Sequence, residues 1–268
     1  MIELILLWQF NAGWMVQYLS LWDNMLGVAS WGRCGYILYH NLTIYFKFCP
    51  FEKLNVVKPW ERGFVFVGRN HVYVVDIMKR SVITFNVTSQ DAVYFKGKLY
   101  YCSDGKLYNG TENTDIPCNW LVYKNNTLYV FTNWSLIMYK EGNAVNVTVP
   151  LVLRAERGDV CDDLVAYTNG NKVVLMNLAS KKSNIVANVS GVGEIYFSPD
   201  CSYLAFTSPY TGQVFLYSVK TMKIVASKTF MFPLSKCPTL TPAVAIDNRT
   251  VYVGTGDGWV QAFALTKK

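Results

Sequence analysis

The feature that most constrains this chain is a short phrase of strand-forming residues that recurs along it. Seven apolar runs end in a small residue, at Ser30, Gly68, Ser103, Thr132, Thr168, Thr207 and Thr255. Each run is followed by a turn and a second apolar run, and a weaker strand pattern lies on either side of the pair. The mean spacing is about 38 residues, and four strands in that length is the period of a propeller blade.

The repeat predicts an all-β protein with one domain, a β-propeller of seven four-stranded blades. The predicted blades cover approximately residues 11–50, 51–88, 89–118, 119–149, 150–190, 191–230 and 231–268. The last blade lacks an outer strand, and residues 2–10 are a strand without a blade. Pairing the two would close the ring and cover an apolar edge. A six-bladed ring is the alternative if the short third unit is irregular.

Composition fits a packed domain and argues against several other classes. Hydrophobic residues make up 51% of the 268 residues and aromatic residues 15%, which excludes a disordered chain. The net charge of +7 comes without any basic run longer than two residues, so there is no strong nucleic-acid signal. No window is apolar enough to predict a membrane span, and residues 1–13 lack the pattern of a signal peptide.

The cysteines give a weaker indication. There are seven of them, at Cys34, Cys49, Cys102, Cys118, Cys161, Cys201 and Cys237, and none forms a CxxC pair. An odd and scattered count favours buried reduced thiols over a disulfide framework. One or two disulfides, such as Cys102 with Cys118, stay open.

Two of the predicted blades resemble known repeats. Residues 194–200 (EIYFSPD), 203–207 (YLAFT) and 213–217 (QVFLY) resemble a WD-repeat blade, in which the SPD turn joins the first two strands. Residues 251–263 (VYVGTGDGWVQAF) resemble the repeat of pyrroloquinoline-quinone-type propellers. The Trp-Asp pair of the WD repeat is replaced by Tyr217-Ser218, and the Gly-His element is missing. The resemblance therefore implies a divergent propeller and supports the fold better than any activity.

No motif for catalysis or metal binding stands out. His40 and His71 lie in no ligand pattern and are expected in turns. The densest acidic cluster, residues 158–163 (GDVCDD), is expected to cap a hairpin rather than to perform acid–base chemistry. The GTGDG stretch at 254–258 is followed by a strand, so it predicts a hairpin turn and not a phosphate loop. We expect no catalytic residue, no metal and no cofactor, a bound quinone included.

Asn-x-Ser/Thr sequons are more frequent than chance predicts. The 20 Asn and 33 Ser plus Thr predict roughly two sequons by random placement. Eight occur, at Asn41, Asn86, Asn109, Asn125, Asn133, Asn146, Asn188 and Asn248. They indicate either a glycosylated protein outside the cell or only the preference of Asn for turns and of Thr for strands. The low charge content favours the exterior, the signal-peptide and cysteine patterns favour a cytoplasmic protein, and both locations stay open.

One face of the predicted propeller is the candidate binding surface. The loops from second to third strands and those between blades gather on one face, where binding residues concentrate. The first class holds Arg33, Arg69, Asp104, Asn133, Asn169, Asn171, Tyr210 and Asp257, and the second holds Lys53 and Lys236. The predicted contacts with a protein or peptide partner are Arg33, Lys53, Arg69, Tyr210, Lys236 and Asp257. The Trp and Tyr residues are mostly expected within strands, in core or inter-blade packing.

The favoured function is a non-catalytic protein-interaction scaffold. The first alternative is an enzyme that uses the central channel, either a quinoprotein-like oxidoreductase or a hydrolase. The second alternative is a glycosylated surface or virion protein that binds receptors or glycans. Carboxylates or histidines converging in the channel would favour the enzyme, and modified sequons would favour the exterior protein, because the fold alone decides neither.

Overall fold

The computed structural model describes residues 2–140, 143–147, 157–191, 193–231 and 242–267. Within these ranges all regular secondary structure is β-strand, and the 28 strands form seven antiparallel sheets of four strands each. The prediction of an all-β chain with seven four-stranded blades is therefore confirmed, and the six-bladed alternative is wrong.

Each sheet is one blade, numbered here in chain order. Blades 1 to 3 contain β2 (Val16–Trp22), β3 (Met25–Ser30), β4 (Gly35–Tyr39), β5 (Ile44–Phe48); β6 (Leu54–Trp60), β7 (Gly63–Gly68), β8 (Val72–Asp76), β9 (Ser81–Phe85); and β10 (Asp91–Phe95), β11 (Lys98–Ser103), β12 (Lys106–Asn109), β13 (Glu112–Pro117). Blades 4 and 5 contain β14 (Trp120–Lys124), β15 (Thr127–Phe131), β16 (Leu136–Lys140), β17 (Asn143–Val147); and β18 (Gly158–Cys161), β19 (Leu164–Asn169), β20 (Lys172–Asn177), β21 (Ser183–Asn188). Blades 6 and 7 contain β22 (Ile195–Phe197), β23 (Tyr203–Ser208), β24 (Gln213–Ser218), β25 (Lys223–Thr229); and β26 (Ala243–Ile246), β27 (Thr250–Gly254), β28 (Trp259–Lys267) with β1 (Ile2–Asn11).

The first strands of the blades surround a central channel. Each of these strands contacts the first strand of the next blade, and β26 contacts β2, so the ring is closed. Closure uses the N-terminal strand as predicted: β1 pairs antiparallel with β28, from Glu3 opposite Thr266 to Asn11 opposite Trp259. This pairing gives blade 7 its fourth strand and leaves no unpaired edge on β28.

The core lies between adjacent blades. The second and third strands of blade 2, β7 and β8, are buried at every residue, whereas the outer strand β9 is mostly exposed. Neighbouring blades cover both faces of such middle strands, which explains why their sequences are continuous apolar runs. The blades approach so closely that a Cβ added at Gly254 would lie 2.3 Å from a methyl carbon of Val16 in blade 1.

Three disulfides are present, two within blades and one between blades, which corrects the expectation of reduced thiols. Within single blades, Cys34 bonds to Cys49 and Cys102 bonds to Cys118, the second pair being the one that the sequence left open. Cys161 of blade 5 bonds to Cys201 of blade 6, at a separation of 40 residues. Cys237 lies outside the described residues. The spacing of the cysteines does not reveal these pairs, because the partners are brought together by the blade repeat rather than by a local motif.

Candidate functional site

The connections between strands lie on two faces of the ring. Loops from second to third strands and from one blade to the next lie on what is here called the loop face, and the remaining turns lie on the opposite face. The structure places Arg33, Arg69, Asp104, Asn133, Asn171, Tyr210 and Asp257 in second-to-third-strand turns, Asn169 at the end of β19, and Lys53 in the loop between blades 1 and 2. Lys236 lies outside the described residues.

The loop face brings some of these residues together and leaves others apart. Trp14, which lies in the connector between β1 and β2, contacts blades 7 and 1. A Cβ at Gly32 of blade 1 would lie 3.1 Å from Trp14 Cβ, and a Cβ at Gly258 of blade 7 would lie 2.8 Å from the Trp14 nitrogen. Next to Gly32, the Trp31 ring lies under the Lys53 ammonium, which is 4.4 Å from the ring centroid.

Glu52 continues this chain of contacts into blade 2. Its carboxylate accepts hydrogen bonds from the Asn70 backbone N–H at 2.8 Å and the Tyr73 hydroxyl at 2.7 Å, and pairs with His71 Nδ1 at 2.8 Å. Partial burial alone would raise the pKa of Glu52, but these donors together lower it. The loop between blades 1 and 2 is thereby fixed to the β7–β8 turn, which also carries Arg69.

The surface formed by these neighbouring turns and connectors is here called the blade 7–1–2 surface. It consists of the side chains of Trp14, Trp31, Arg33, Phe51, Lys53 and Arg69. Among the predicted contacts, Tyr210 lies apart on blade 6, where its ring packs on Gly191. Asp257 is half-buried, and it accepts a hydrogen bond from the Thr255 hydroxyl. Arg33, Lys53 and Arg69 are therefore on blades 1 and 2 or their connector, Asp257 is on the neighbouring blade 7, and Tyr210 lies apart.

Exposed aromatic side chains are the part of this face that the sequence analysis missed. Phe51 is 96% exposed, Tyr210 72%, Trp134 69% and Trp14 68%, and all four are on the loop face. Of the five most exposed large apolar side chains of the described residues, only Met78, at 77%, is on the opposite face. The expectation that Trp is mostly core is wrong for Trp14 and Trp134. The missed signal was position, because each follows a turn residue, Gly13 or Asn133.

The channel contains a buried ion pair that spans three blades. The Lys58 ammonium of blade 2 donates to the Asp91 carboxylate of blade 3 and to the Leu121 carbonyl of blade 4. The same ammonium lies 3.7 Å from the centroid of the Trp120 ring. Burial lowers the pKa of Lys58 to about 8, although Asp91 opposes the shift. Neither Lys58 nor Asp91 carries a motif that marked it in the sequence.

Three channel carboxylates repeat one contact between neighbouring blades. Asp91 accepts the backbone N–H of Leu121 at 2.6 Å, and Asp159 accepts that of Phe197 at 2.8 Å. Glu194 accepts the N–H of Val244 in the same way, and its other oxygen, Oε1, has no partner among the described residues. Burial raises the pKa of Glu194 well above its usual range, opposed by Arg157 and by backbone donors. Each carboxylate thus joins the inner strands of consecutive blades.

The acidic cluster at 158–163 is therefore divided between two environments. Its first carboxylate, Asp159, lies on β18 in the channel wall, 3.2 Å from the Lys124 ammonium. Only Asp162 and Asp163 are in the turn that the sequence predicted for the whole cluster. That expectation is corrected for Asp159, because β18 begins earlier than the apolar run suggested.

Aromatic rings fill the middle of the channel. The Tyr18 ring of blade 1 lies 5.6 Å from the Trp120 ring of blade 4, and the Arg157 guanidinium lies 5.5 Å and 5.0 Å from these two centroids. The cavity left beside them is about 60 Å³, room for about four waters at roughly 15 Å³ each. A quinone cofactor does not fit there, because small-molecule pockets measure roughly 300–1,000 Å³.

Histidines and metal ligands do not gather in the described part of the channel. His40 lies on the opposite face, with Nδ1 2.7 Å from the Tyr252 hydroxyl. His71 is bound to Glu52 on the loop face. Among the described residues, no group of three His, Cys, Asp or Glu could hold a metal ion. In the same ranges, no helix has the length and apolarity needed to cross a membrane.

The sequons are distributed unevenly over the two faces. Asn41, Asn109, Asn125 and Asn248 are at opposite-face turns, and all are exposed except the half-buried Asn109. On the loop-face side, exposed Asn133 adjoins Trp134, and exposed Asn86 and Asn188 are at the ends of the outer strands β9 and β21. Asn146 is on β17, and its side chain lies outside the described residues. No sequon asparagine is in the connectors that carry the blade 7–1–2 surface.

Comparison with known proteins identifies the fold. No protein-family model matches the chain, and no curated protein is similar to it in sequence. In structure the chain is similar to a chain of the mitotic checkpoint complex crystal structure, with a TM-score of 0.76 over 100% of this chain and 94% of that chain, at 13% identity. It is also similar to the computationally designed Ika8 protein, with a TM-score of 0.65 over 98% and 100% of the chains, at 8% identity. The fold is thus a WD-repeat-like propeller, and the quinone-type resemblance of the last blade stays a prediction.

Proposed function

We propose that this chain is a non-catalytic protein-interaction module that binds a protein or peptide partner on its loop face. The observation that carries the proposal is the group of exposed aromatic side chains there, Trp14, Phe51, Trp134 and Tyr210. Loops carried on a rigid scaffold are where binding residues concentrate, and Trp, Tyr and Arg are enriched at the energetic centres of interfaces. One of its structural neighbours comes from a protein complex, in keeping with this role.

The absence of catalysis is part of the proposal and is supported by how the channel carboxylates are used. They converge in the channel, as an enzyme would require, but Asp91, Asp159 and Glu194 each accept a backbone N–H of the next blade. A carboxylate engaged in this way serves ring closure, and the cavity of about 60 Å³ beside it leaves little room for a substrate.

The test is partner capture from the native source with matched surface variants. The loop-face variant is Trp14→Ala with Phe51→Ala, and the control is Met78→Ala with Met222→Ala, which removes exposed apolar side chains from the opposite face. We expect a stoichiometric partner with the wild type and the control but not with the loop-face variant. Equal capture by all three forms, or loss in the control alone, would place the interaction elsewhere.

A second proposal concerns where the protein works, and the three disulfides support it. Disulfides persist in oxidising compartments and are rare in the cytosol of mesophiles. Together with the exposed sequons they favour a glycosylated binding protein outside the cell. Intact mass of protein from its native source should show sugar-sized increments and, without reductant, a loss of two hydrogens per disulfide. An unmodified mass with seven free thiols would contradict this location and would leave the interaction proposal unaffected.

A further inference from the structure

We infer that the blade 7–1–2 surface docks an acidic peptide segment of the partner, one that carries an aromatic or large aliphatic anchor. This inference rests on the proposed function and narrows it to one sector of the loop face and one ligand chemistry. The sector combines three exposed basic side chains with the exposed rings of Trp14 and Phe51.

The blade 7–1–2 surface is ordered before any partner binds. The Trp14 backbone is packed closely against blade 7, since a Cβ added at Gly258 would lie 2.8 Å from its nitrogen, and Trp14 Cβ would lie 3.1 Å from a Cβ added at Gly32 of blade 1. Lys53 lies over Trp31, and the Trp31 indole N–H donates to Asn55 Oδ1 at 3.1 Å. A surface ordered in this way loses little conformational entropy on binding, which favours affinity for a given contact area.

The charge of the sector favours an anionic ligand. Arg33, Lys53 and Arg69 are exposed, and within the described ranges none of the three forms an ion pair. The adjoining carboxylates are already engaged, Glu52 by three donors on blade 2 and Asp257 by Thr255. An acidic ligand would therefore meet three available cations and little repulsion.

The aromatic part of the sector favours a peptide over a nucleic acid. Three cations are fewer than the roughly 6–10 phosphate contacts that commonly support nucleic-acid binding. Phe51 and Trp14 offer apolar area beside the cations, as in interface centres where a few aromatic anchors carry most of the binding energy. An acidic segment with an apolar anchor matches both parts of the surface.

Glycosylation would leave this sector open. A glycan on Asn133 would stand beside the exposed Trp134 of blade 4, and glycans on Asn86 and Asn188 would stand at outer strand ends. None of the connectors that carry Trp14, Arg33, Phe51, Lys53 or Arg69 contains a sequon. If all exposed sequons carry glycans, the blade 7–1–2 surface is the larger exposed aromatic group that stays uncovered.

The experiment measures binding of three synthetic polymers to the full chain by biolayer interferometry: poly(Glu,Tyr), poly(Glu) and poly(Lys,Tyr). We expect poly(Glu,Tyr) to bind at least tenfold more tightly than the other two. The charge-reversal variant Arg33→Glu, Lys53→Glu, Arg69→Glu and the variant Trp14→Ala, Phe51→Ala should each weaken poly(Glu,Tyr) binding at least tenfold. The control Lys79→Glu, Lys182→Glu, Lys220→Glu makes the same charge change on the opposite face and should stay within twofold of the wild type.

Each alternative result overturns the inference in a recognisable way. Equal weakening by both charge-reversal variants means that only the net charge of +7 attracts the polymer. Binding of poly(U) RNA that is lost in the loop-face variants, without poly(Glu,Tyr) binding, identifies a nucleic-acid surface instead. No polymer binding, with a native partner still captured through Trp14 and Phe51, contradicts the acidic chemistry while the proposed function stands.

Discussion

The channel and the loop face place the same kinds of side chain, cations and aromatic rings, in opposite surroundings. In the channel, Lys58 is buried over Trp120 and bonded to two other blades. On the loop face, Lys53 lies over Trp31 in the same manner but is exposed to solvent. The two lysine–tryptophan pairs have a similar geometry, but only the channel pair is buried. The channel pair therefore contributes to ring closure, whereas the loop-face pair is available to a partner.

The largest expected difference in unfolding free energy comes from replacing the lysine of each pair. Lys58→Met leaves the buried Asp91 carboxylate without its cation, and breaking a buried pair in this way costs about 3–5 kcal/mol. Lys53→Met, the matched change on the loop face, should alter the unfolding free energy by less than about 0.5 kcal/mol. Urea unfolding of the two variants makes the comparison. Equal losses would mean that burial does not separate the channel from the loop face.

The disulfides extend the comparison from side chains to cross-links. The Cys161–Cys201 disulfide joins blades 5 and 6 and closes a loop of 40 residues. The Cys34–Cys49 disulfide, at the loop face, closes a loop of only 15 residues. Chain entropy predicts losses of about 4 and about 3 kcal/mol for the Cys→Ala pairs. Guanidinium unfolding without reductant measures both. A larger loss from the Cys34–Cys49 pair would mean that the joint between blades 5 and 6 is stable without its cross-link.

Two glutamates should respond to pH with opposite signs. The folded-state pKa of Glu194 lies above its usual value of 4.5, so its stabilising contribution is present below that pH and is lost as pH rises through the folded pKa. The pKa of Glu52 is lowered, so its contribution is present above its usual value and is lost as pH falls. Relative to the wild type, Glu194→Gln should therefore gain stability as the pH rises above 4.5, whereas Glu52→Gln should lose stability as the pH rises towards 4.5 from below.

As the pH rises, we expect the unfolding free energies of the Glu194→Gln and Glu52→Gln variants, each relative to the wild type, to change in opposite directions. Thermal unfolding across the pH range measures this divergence. Parallel pH profiles for the two variants would contradict the assigned environments.

The fold could be predicted from the sequence because the pattern that defines each blade is local in the sequence. Turn residues and apolar runs recur at one spacing, and the unpaired N-terminal strand predicts how the ring closes. The side-chain contacts in the channel could not be predicted in the same way. Lys58 and Asp91 are 33 residues apart, and the rings of Tyr18 and Trp120 meet across the channel from blades 1 and 4. Such contacts depend on the arrangement of whole blades, which no spacing in the sequence encodes.

Only part of the candidate site could be predicted from the sequence, for a related reason. Second-to-third-strand turns are defined by the repeat, so Arg33 and Arg69 could be placed on the loop face from spacing alone. Trp14 and Phe51 are in connectors between blades, whose lengths vary, and the general burial preference of aromatic residues outweighed their positions. Residue type predicted a core location for Trp14, and Phe51 carried no prediction, whereas Gly13 before Trp14, with φ of 84°, and Pro50 before Phe51 mark turns.

The smallest expected effect is on stability at the loop face itself. Trp14→Ala and Phe51→Ala should each change the unfolding free energy by less than about 0.5 kcal/mol, because most of both side chains is already in water. Trp120→Ala, the buried counterpart, should cost about 3–5 kcal/mol. Thermal unfolding of the three variants is the measurement. A loss above about 1 kcal/mol for Trp14→Ala would mean that the Trp14 side chain stabilises blade 1, since Gly32 lies against it. The partner surface would then rest on Phe51 and the cations alone.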